Sequence, residues 1–408
     1  MKRFFSKLAI LLLNVFVVAS GATAATVPLM TKSFSNVSPT MIELLMTVPA
    51  LGIIIFTPLS NFIVDRIGVK KDILLGLLII LISGVTPALT TNFALIFISR
   101  IGIGVGTGML ASYALALIIA LYQGQEQGQM MGLSSVVQGL GMFLMTYFAG
   151  SLMRYGWQAS YWVNAFALFV FLLVLFFIPS SIDQKFAASQ NSQSQVKTDK
   201  HVDGPVWLLA IFMFCFNATF AFITIRFASL VVAKGYGSVQ DASTLLGIMS
   251  FAMAAGGFIF MALKGNIKHF SMAIALACGT LAFVILPLSS SLVLSGLAVV
   301  LVGIAVSMSM VSMGSYVGDF TSPSRVPFST SVAMSAANIG TLVSPYIAQA
   351  VSKIFGSKSP ATTFVFGAFV FAILLVVAIL IGINYGKFSQ GTKAKKADNT
   401  NNLEGQNA

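Results

Sequence analysis

Charge is scarce in this chain. Asp, Glu, Lys and Arg make up only 8% of its 408 residues, against about 25% in a soluble globular protein. So few charges cannot cover the apolar surface that the rest of the composition creates. The 11 acids are outnumbered by 23 basic residues, giving a net charge of +12, but no basic cluster marks a soluble face that would hold nucleic acid. Cysteine is nearly absent. Cys215 and Cys278 lie inside apolar runs, which excludes a disulfide framework and offers no metal site. The two histidines, His201 and His269, fall in polar segments, leaving histidine-based catalysis or metal binding without support. No Gly-x4-Gly-Lys-Ser/Thr phosphate loop occurs, so nothing suggests ATP drive.

Hydrophobic residues are what the chain has in excess, at 57% and a mean hydropathy of +0.93. They come in runs of about 20, each long enough to cross a ~30 Å hydrocarbon layer as a helix. Twelve spans are predicted, at 8–30, 39–62, 73–90, 93–121, 129–153, 158–179, 205–231, 242–263, 271–290, 292–316, 326–351 and 361–384. The start has the outline of a signal peptide, with Lys2 and Arg3, an apolar stretch and Ala22-x-Ala24. The apolar stretch continues past Ala24, so it reads as a retained first helix. The longest internal polar segment, 180–204, is rich in Ser, Gln and Lys and reads as a linker. The expected layout is therefore a six-helix bundle over 1–179, a cytoplasmic linker over 180–204, a second bundle over 205–384 and a disordered cytoplasmic tail over 385–408. With the first residue inside, sixteen of the 23 basic residues fall on the cytoplasmic side and five outside, the remaining two being Arg100 and Arg226 within spans. That asymmetry puts both termini in the cytoplasm. Six spans, a linker and six more suggest duplicated halves. A weak echo agrees: Gly141-MFL-Met145-Thr146-YF-Ala149-Gly150 in span five and Gly340-TLV-Ser344-Pro345-YI-Ala348 in span eleven place small residues at matching offsets.

The densest charge cluster among the early spans is Asp65-Arg66-x-Gly68-x-Lys70-Lys71, between spans two and three. It resembles the loop motif of the major facilitator superfamily, Gly-x-x-x-Asp-Arg/Lys-x-Gly-Arg/Lys-Arg/Lys, with Asn61 in place of the first glycine and Val69 in place of the first of the two final basic residues. The resemblance covers essentially residues 5–385. It implies an all-α membrane fold of twelve helices in two pseudo-symmetric bundles, in which Asp65 meets the N-terminal end of helix eleven when the transporter faces outward, a position favourable for a carboxylate. Arg66, Gly68 and Lys70 complete the gating loop, Gly68 allowing the tight turn; the plainer reading is a positive-inside anchor. In span four, Arg100-IG-Ile103-Gly104-V-Gly106 resembles the family's Arg-x-x-Gln-Gly-x-Gly, with Ile103 for the Gln. There the resemblance implies an Arg facing the central cavity and linked to proton coupling, with Gly104 and Gly106 as packing residues. The alternative is an Arg that snorkels to the outer interface. Gly156-Trp157 resembles the segment opening helix six and reads as an interfacial anchor. The Gly-Pro of proton-antiporting drug exporters is replaced by Met145-Thr146, which weakens an exchange mechanism.

Charges inside a membrane are costly and mark function. Arg100 and Arg226 are the two embedded cations, and Glu43 the one acid within a predicted span. Glu43 reads most simply as a surface carboxylate, with pairing to Arg226 or proton carriage as alternatives. No carboxylate lies in the helices that would balance a cationic drug, which favours an anionic or neutral amphipathic solute. Asn217, Gln138 and Asn338 are further polar candidates for the solute path, and Gly340 and Pro345 join Gly104 and Gly106 as packing residues. The expected function is alternating-access transport driven by a proton or solute gradient, with efflux favoured and import of an organic anion as the alternative. A membrane-embedded enzyme lacks a nucleophile, base or metal cluster, and a non-transporting sensor lacks an appended signalling domain. The expected partners are a small solute, a proton and the lipid bilayer, with no nucleic acid and no cofactor, on a functional monomer in the cell membrane.

Overall fold

The protein's structure, a computed structural model, describes residues 2–114, 116–179, 182, 183, 186, 204–263, 265–322, 325–357 and 359–386. Among the described residues, twelve helices are long and apolar enough to cross a membrane. They are α1 Phe4–Ser33, α2 Pro39–Ser60, α3 Val69–Leu89, α4 Phe93–Leu121, α5 Gly124–Tyr155, α6 Gln158–Phe177, α7 Gly204–Ala233, α8 Val239–Ala262, α9 Ser271–Leu288, α10 Leu292–Phe320, α11 Val326–Ile354 and α12 Pro360–Ile383. No strand occurs among the described residues. The expected spans coincide with these helices, with ends moved by a few residues where polar caps extend an apolar run. Ser238, for example, starts α8 through a reciprocal bond pair with Asp241. Most of the proposed linker and tail lies outside the described residues.

Packing repeats between the halves. The pairs α1·α5, α2·α4, α3·α4, α3·α6 and α1·α6 recur as α7·α11, α8·α10, α9·α10, α9·α12 and α7·α12. The sequence echo marks one of these repeats. Gly141 of α5 lies against Val15 of α1, and Gly340 of α11 lies against the Phe214 carbonyl of α7.

Two hydrophobic cores show how the halves meet. One is made wholly from the first six helices and the turn after them, with Ile10, Leu13, Ile73, Leu110 and Val174 among its members. It lies toward the face where α1 begins, here termed the N-terminal face. The larger core holds the last six helices together through Phe216, Phe283 and Phe371. It also takes in the opposite ends of the first six: Ala24, Ala25, Met30, Ile42, Met46, Ile96 and Trp157. The halves are thus joined by hydrophobic contact at the face opposite the N-terminus. Toward the N-terminal face, the sites a side chain would fill at Gly124, Gly128 and Gly132 of α5, and at Gly314 and Gly318 of α10, have nothing within 4 Å among the described residues.

Candidate functional site

At the joined face one ion pair bridges the halves. Arg226, in the last third of α7, donates Nε to Glu43 Oε1 at 2.8 Å, with Nη2 3.4 Å from Glu43 Oε2. Its Nη1 donates to Ser352 Oγ of α11 at 3.0 Å and to Thr363 Oγ1 of α12 at 2.6 Å. Glu43 sits in the first turns of α2 and is 7% exposed. The surface-carboxylate expectation is therefore corrected. The end of the first bundle is covered by the second, so a group near a span end becomes buried without reaching the middle of the membrane. A bidentate guanidinium–carboxylate pair is the geometry that best offsets the loss of water from both ions. Nearby, Thr47 Oγ1 lies 3.5 Å from the Leu342 carbonyl oxygen, just before Pro345 of α11, which is itself buried. Ser243 of α8 donates to the Thr146 carbonyl of α5 at 2.8 Å, a further polar tie across the halves.

Arg100 is 1% exposed, which corrects the snorkelling alternative, and no carboxylate pairs with it among the described residues. Its Nε donates to the Leu45 carbonyl of α2 at 2.8 Å, and its Nη2 to the Ser20 carbonyl of α1 at 2.9 Å. The guanidinium also lies 5.8 Å from the Tyr161 ring. The reason is local. Residue 49 is proline, so the Leu45 carbonyl has no N–H four residues on to bond it. Ser20 lies in the 3-10 stretch Ala19–Gly21, where α1 leaves its regular ladder. Non-helical backbone at membrane depth needs a donor from elsewhere, and Arg100 supplies one to each helix. Gly104, one turn along, belongs to the same joint: a Cβ there would stand 2.0 Å from the Pro49 carbonyl oxygen. Gly106 meets the Gly76 carbonyl of α3 in the same manner.

The remaining candidates are more scattered. Gln138 Nε2 donates to the Asn14 carbonyl at 3.3 Å, tying α5 to α1. Asn217 and Asn338 donate to carbonyls of their own helices, Met213 at 3.0 Å and Met334 at 3.0 Å. Trp157 was expected as an interfacial anchor, but it is 4% exposed and donates to Ser33 Oγ at 3.0 Å. The turn at Gly156 folds it under the end of α1, where it packs against Phe34. The helix of α2 continues to Ile67 and α3 begins at Val69, so Gly68 alone makes the turn; it adopts φ +83° and leaves room for the Asp183 carboxylate, which a Cβ would approach to 2.8 Å. Asp183 accepts the Lys70 backbone N–H at 3.1 Å, and Lys70 Nζ donates to the Leu175 carbonyl at 3.0 Å. Arg66 is exposed. The Asp65 side chain lies outside the described residues.

Sequence reasoning missed Asp72. It was set at a span boundary, yet it is fully buried in α3 and accepts from Ser60 at 2.9 Å and Tyr113 at 2.5 Å. In the sequence it directly follows Lys70-Lys71 and so reads as part of the charged loop; only the start of α3 at Val69 carries it into the helix. Ser352 and Thr363 were also missed, since hydroxyls at helix ends have no sequence pattern that singles them out.

The pattern that defines the Major Facilitator Superfamily matches residues 9–299 and 227–401. The chain belongs to that superfamily. Among curated proteins it is 25% identical over 230 residues to NiaP of Bacillus subtilis (strain 168), whose name gives it as a niacin/nicotinamide transporter. The match covers 55% of this chain and 57% of that one. It is 26% identical over 208 residues to multidrug resistance protein 2 of the same organism, covering 49% and 52%. The matched region thus spans little more than half the length of these relatives. Among solved structures, the nucleoside transporter NupG superposes with a TM-score of 0.74 at 12% identity, over 92% of this chain and 99% of that one, a likeness of fold. This superfamily member is a multi-pass membrane protein with twelve spans.

Proposed function

We propose that the protein is a secondary transporter that moves a small amphipathic solute bearing an anionic group by alternating access, driven by a proton or solute gradient. The observation that carries this reading is the Glu43–Arg226 pair, which ties the two bundles at one face while α5 and α10 leave open space toward the other. A permanent pore would need no such one-sided closure. When the bundles part at this face, Glu43 loses its partner. Arg226 stays held by Ser352 and Thr363 within the second bundle. That leaves an oriented cation at the mouth of the opened cavity, suited to a carboxylate or phosphate group on the solute. Asn217, two turns further down α7, and Gln138 and Asn338, on α5 and α11, are the polar residues proposed to line the path beyond it. Reversal requires the N-terminal face to close. There Asp65 is the proposed ligand of the start of α11, with Arg66, Gly68 and Lys70 shaping the loop. The excess of Lys and Arg on that side supports a cytoplasmic N-terminal face, in a cell membrane. The resemblance in layout to exporters favours efflux. Import of an organic anion is the second reading, supported by the location of Arg226 at the outer gate, where an arriving anion would compete with Glu43.

The test is flux in proteoliposomes under an imposed pH or sodium gradient, over a panel of organic anions, neutral amphiphiles and cationic dyes. The expected outcome is gradient-dependent movement of anionic amphiphiles, reduced by Glu43→Gln and by Asp65→Asn in protein that inserts normally. Flux of cations alone, or flux that ignores both substitutions, contradicts the reading.

A further inference from the structure

The larger core divides α1 and α2 at unexpected places. Residues of α1 up to Ala22 belong to the first bundle's own core, whereas Ala24, Val27 and Met30 belong to the core of the second. In α2, Ile42, Leu45 and Met46 also belong to the second core. The two helix ends, connected through residues 34–38, therefore form a hairpin over 24–46 that packs with the opposite bundle and carries Glu43 to Arg226. Both arms are broken where they leave the first bundle. α1 passes through two 3-10 stretches, Ala19–Gly21 and Ala24–Thr26, built only of Ala, Ser, Gly and Thr residues. α2 is interrupted at Val48, before Pro49. Such breaks are where helices bend.

Arg100 bonds both breaks, at Ser20 and at Leu45. We propose that Arg100 is a positioning residue: a single guanidinium staples the two hinges, so that the 24–46 hairpin swings as one unit when the gate opens. This rests on the gate reading above but concerns a different residue and a different observable. Arg suits the role because its planar fork places separate N–H groups toward two carbonyls, which a lysine ammonium cannot do in the same geometry.

The test is a pair of spin-label distances in a Cys215→Ser, Cys278→Ser background. One pair, Lys32→Cys with Lys353→Cys, reports the joined face. The other, Gly128→Cys with Gly318→Cys, reports the N-terminal face. Arg100→Ala is expected to replace the sharp outer-pair distribution with a broad one and leave the inner pair unchanged. Adding Pro49→Ala, which returns an N–H to the Leu45 carbonyl, is expected to narrow the outer distribution in part. If Arg100→Ala does not insert, Arg100→Lys is expected to broaden the outer pair while keeping the charge. An outer distribution as sharp as the parent's, equal broadening in both pairs, or no narrowing by Pro49→Ala overturns the staple. Glu43→Gln tests the gate separately: it is expected to lengthen the outer distance and shorten the inner one without broadening, and its failure to do so would count against the gate reading alone.

Discussion

At the scale of single residues, chemistry and neighbourhood diverge. Arg100 and Arg226 are both cations inside spans, and the sequence treats them alike. Their partners differ because Pro49 and the broken first helix leave carbonyls near Arg100, while the folded-over second bundle brings Glu43 and Arg226 together. The presence of both guanidiniums was legible in the sequence. Their partners were not, because a carbonyl freed by a proline two helices away carries no side-chain signal. The ion pair yields a specific expectation. Arg226→Ala strands a buried carboxylate and is expected to lower stability by about 3–5 kcal/mol. Adding Glu43→Gln to it recovers much of that loss, because the uncompensated charge is gone. Thermal unfolding of the four proteins in detergent checks the cycle. Equal losses in the single and double variants would show that the two ions do not act as a pair.

At the scale of elements, the glycines separate packing from open space. The helices were readable from apolar runs because a membrane span needs about 20 residues of one character. Gly104 and Gly106 were legible as packing residues through the motif shared with the superfamily, and the close approaches of Gly104 to the Pro49 carbonyl and of Gly106 to the Gly76 carbonyl give that role its physical cause. The break inside α1 was not readable, since Ala, Ser and Gly run through many intact helices; Pro49 was a visible signal for the break in α2, but nothing in the sequence tied it to Arg100. Gly104→Ala forces a methyl group against the Pro49 carbonyl and is expected to cost about 1–3 kcal/mol. Gly132→Ala enters open space in a helix and is expected to be neutral or to stabilise by up to about 1 kcal/mol. Thermal unfolding midpoints of the two variants decide this. A harmless Gly104→Ala would remove the joint between α2 and α4.

At the scale of the whole molecule, the repeat of helix contacts in two halves follows from a sequence that repeats only faintly. The echo of 141–150 in 340–349 is a trace of shared packing, with Gly141 against α1 and Gly340 against α7. What no sequence pattern reveals is which face the bundles close, because on the proposed alternating-access reading that depends on a balance of contacts between two states. Here the closed face is held by the 24–46 hairpin, the Glu43–Arg226 pair and the α5–α8 contact. Hydrogen exchange on the reconstituted protein, comparing the parent with Glu43→Gln, tests the central claim of reciprocal opening. Exchange is expected to rise over 27–47 and 349–360 and, in the same sample, to fall over 124–135 and 310–320. A rise confined to the first two segments, or a change of one sign at both faces, would contradict alternating access through this gate.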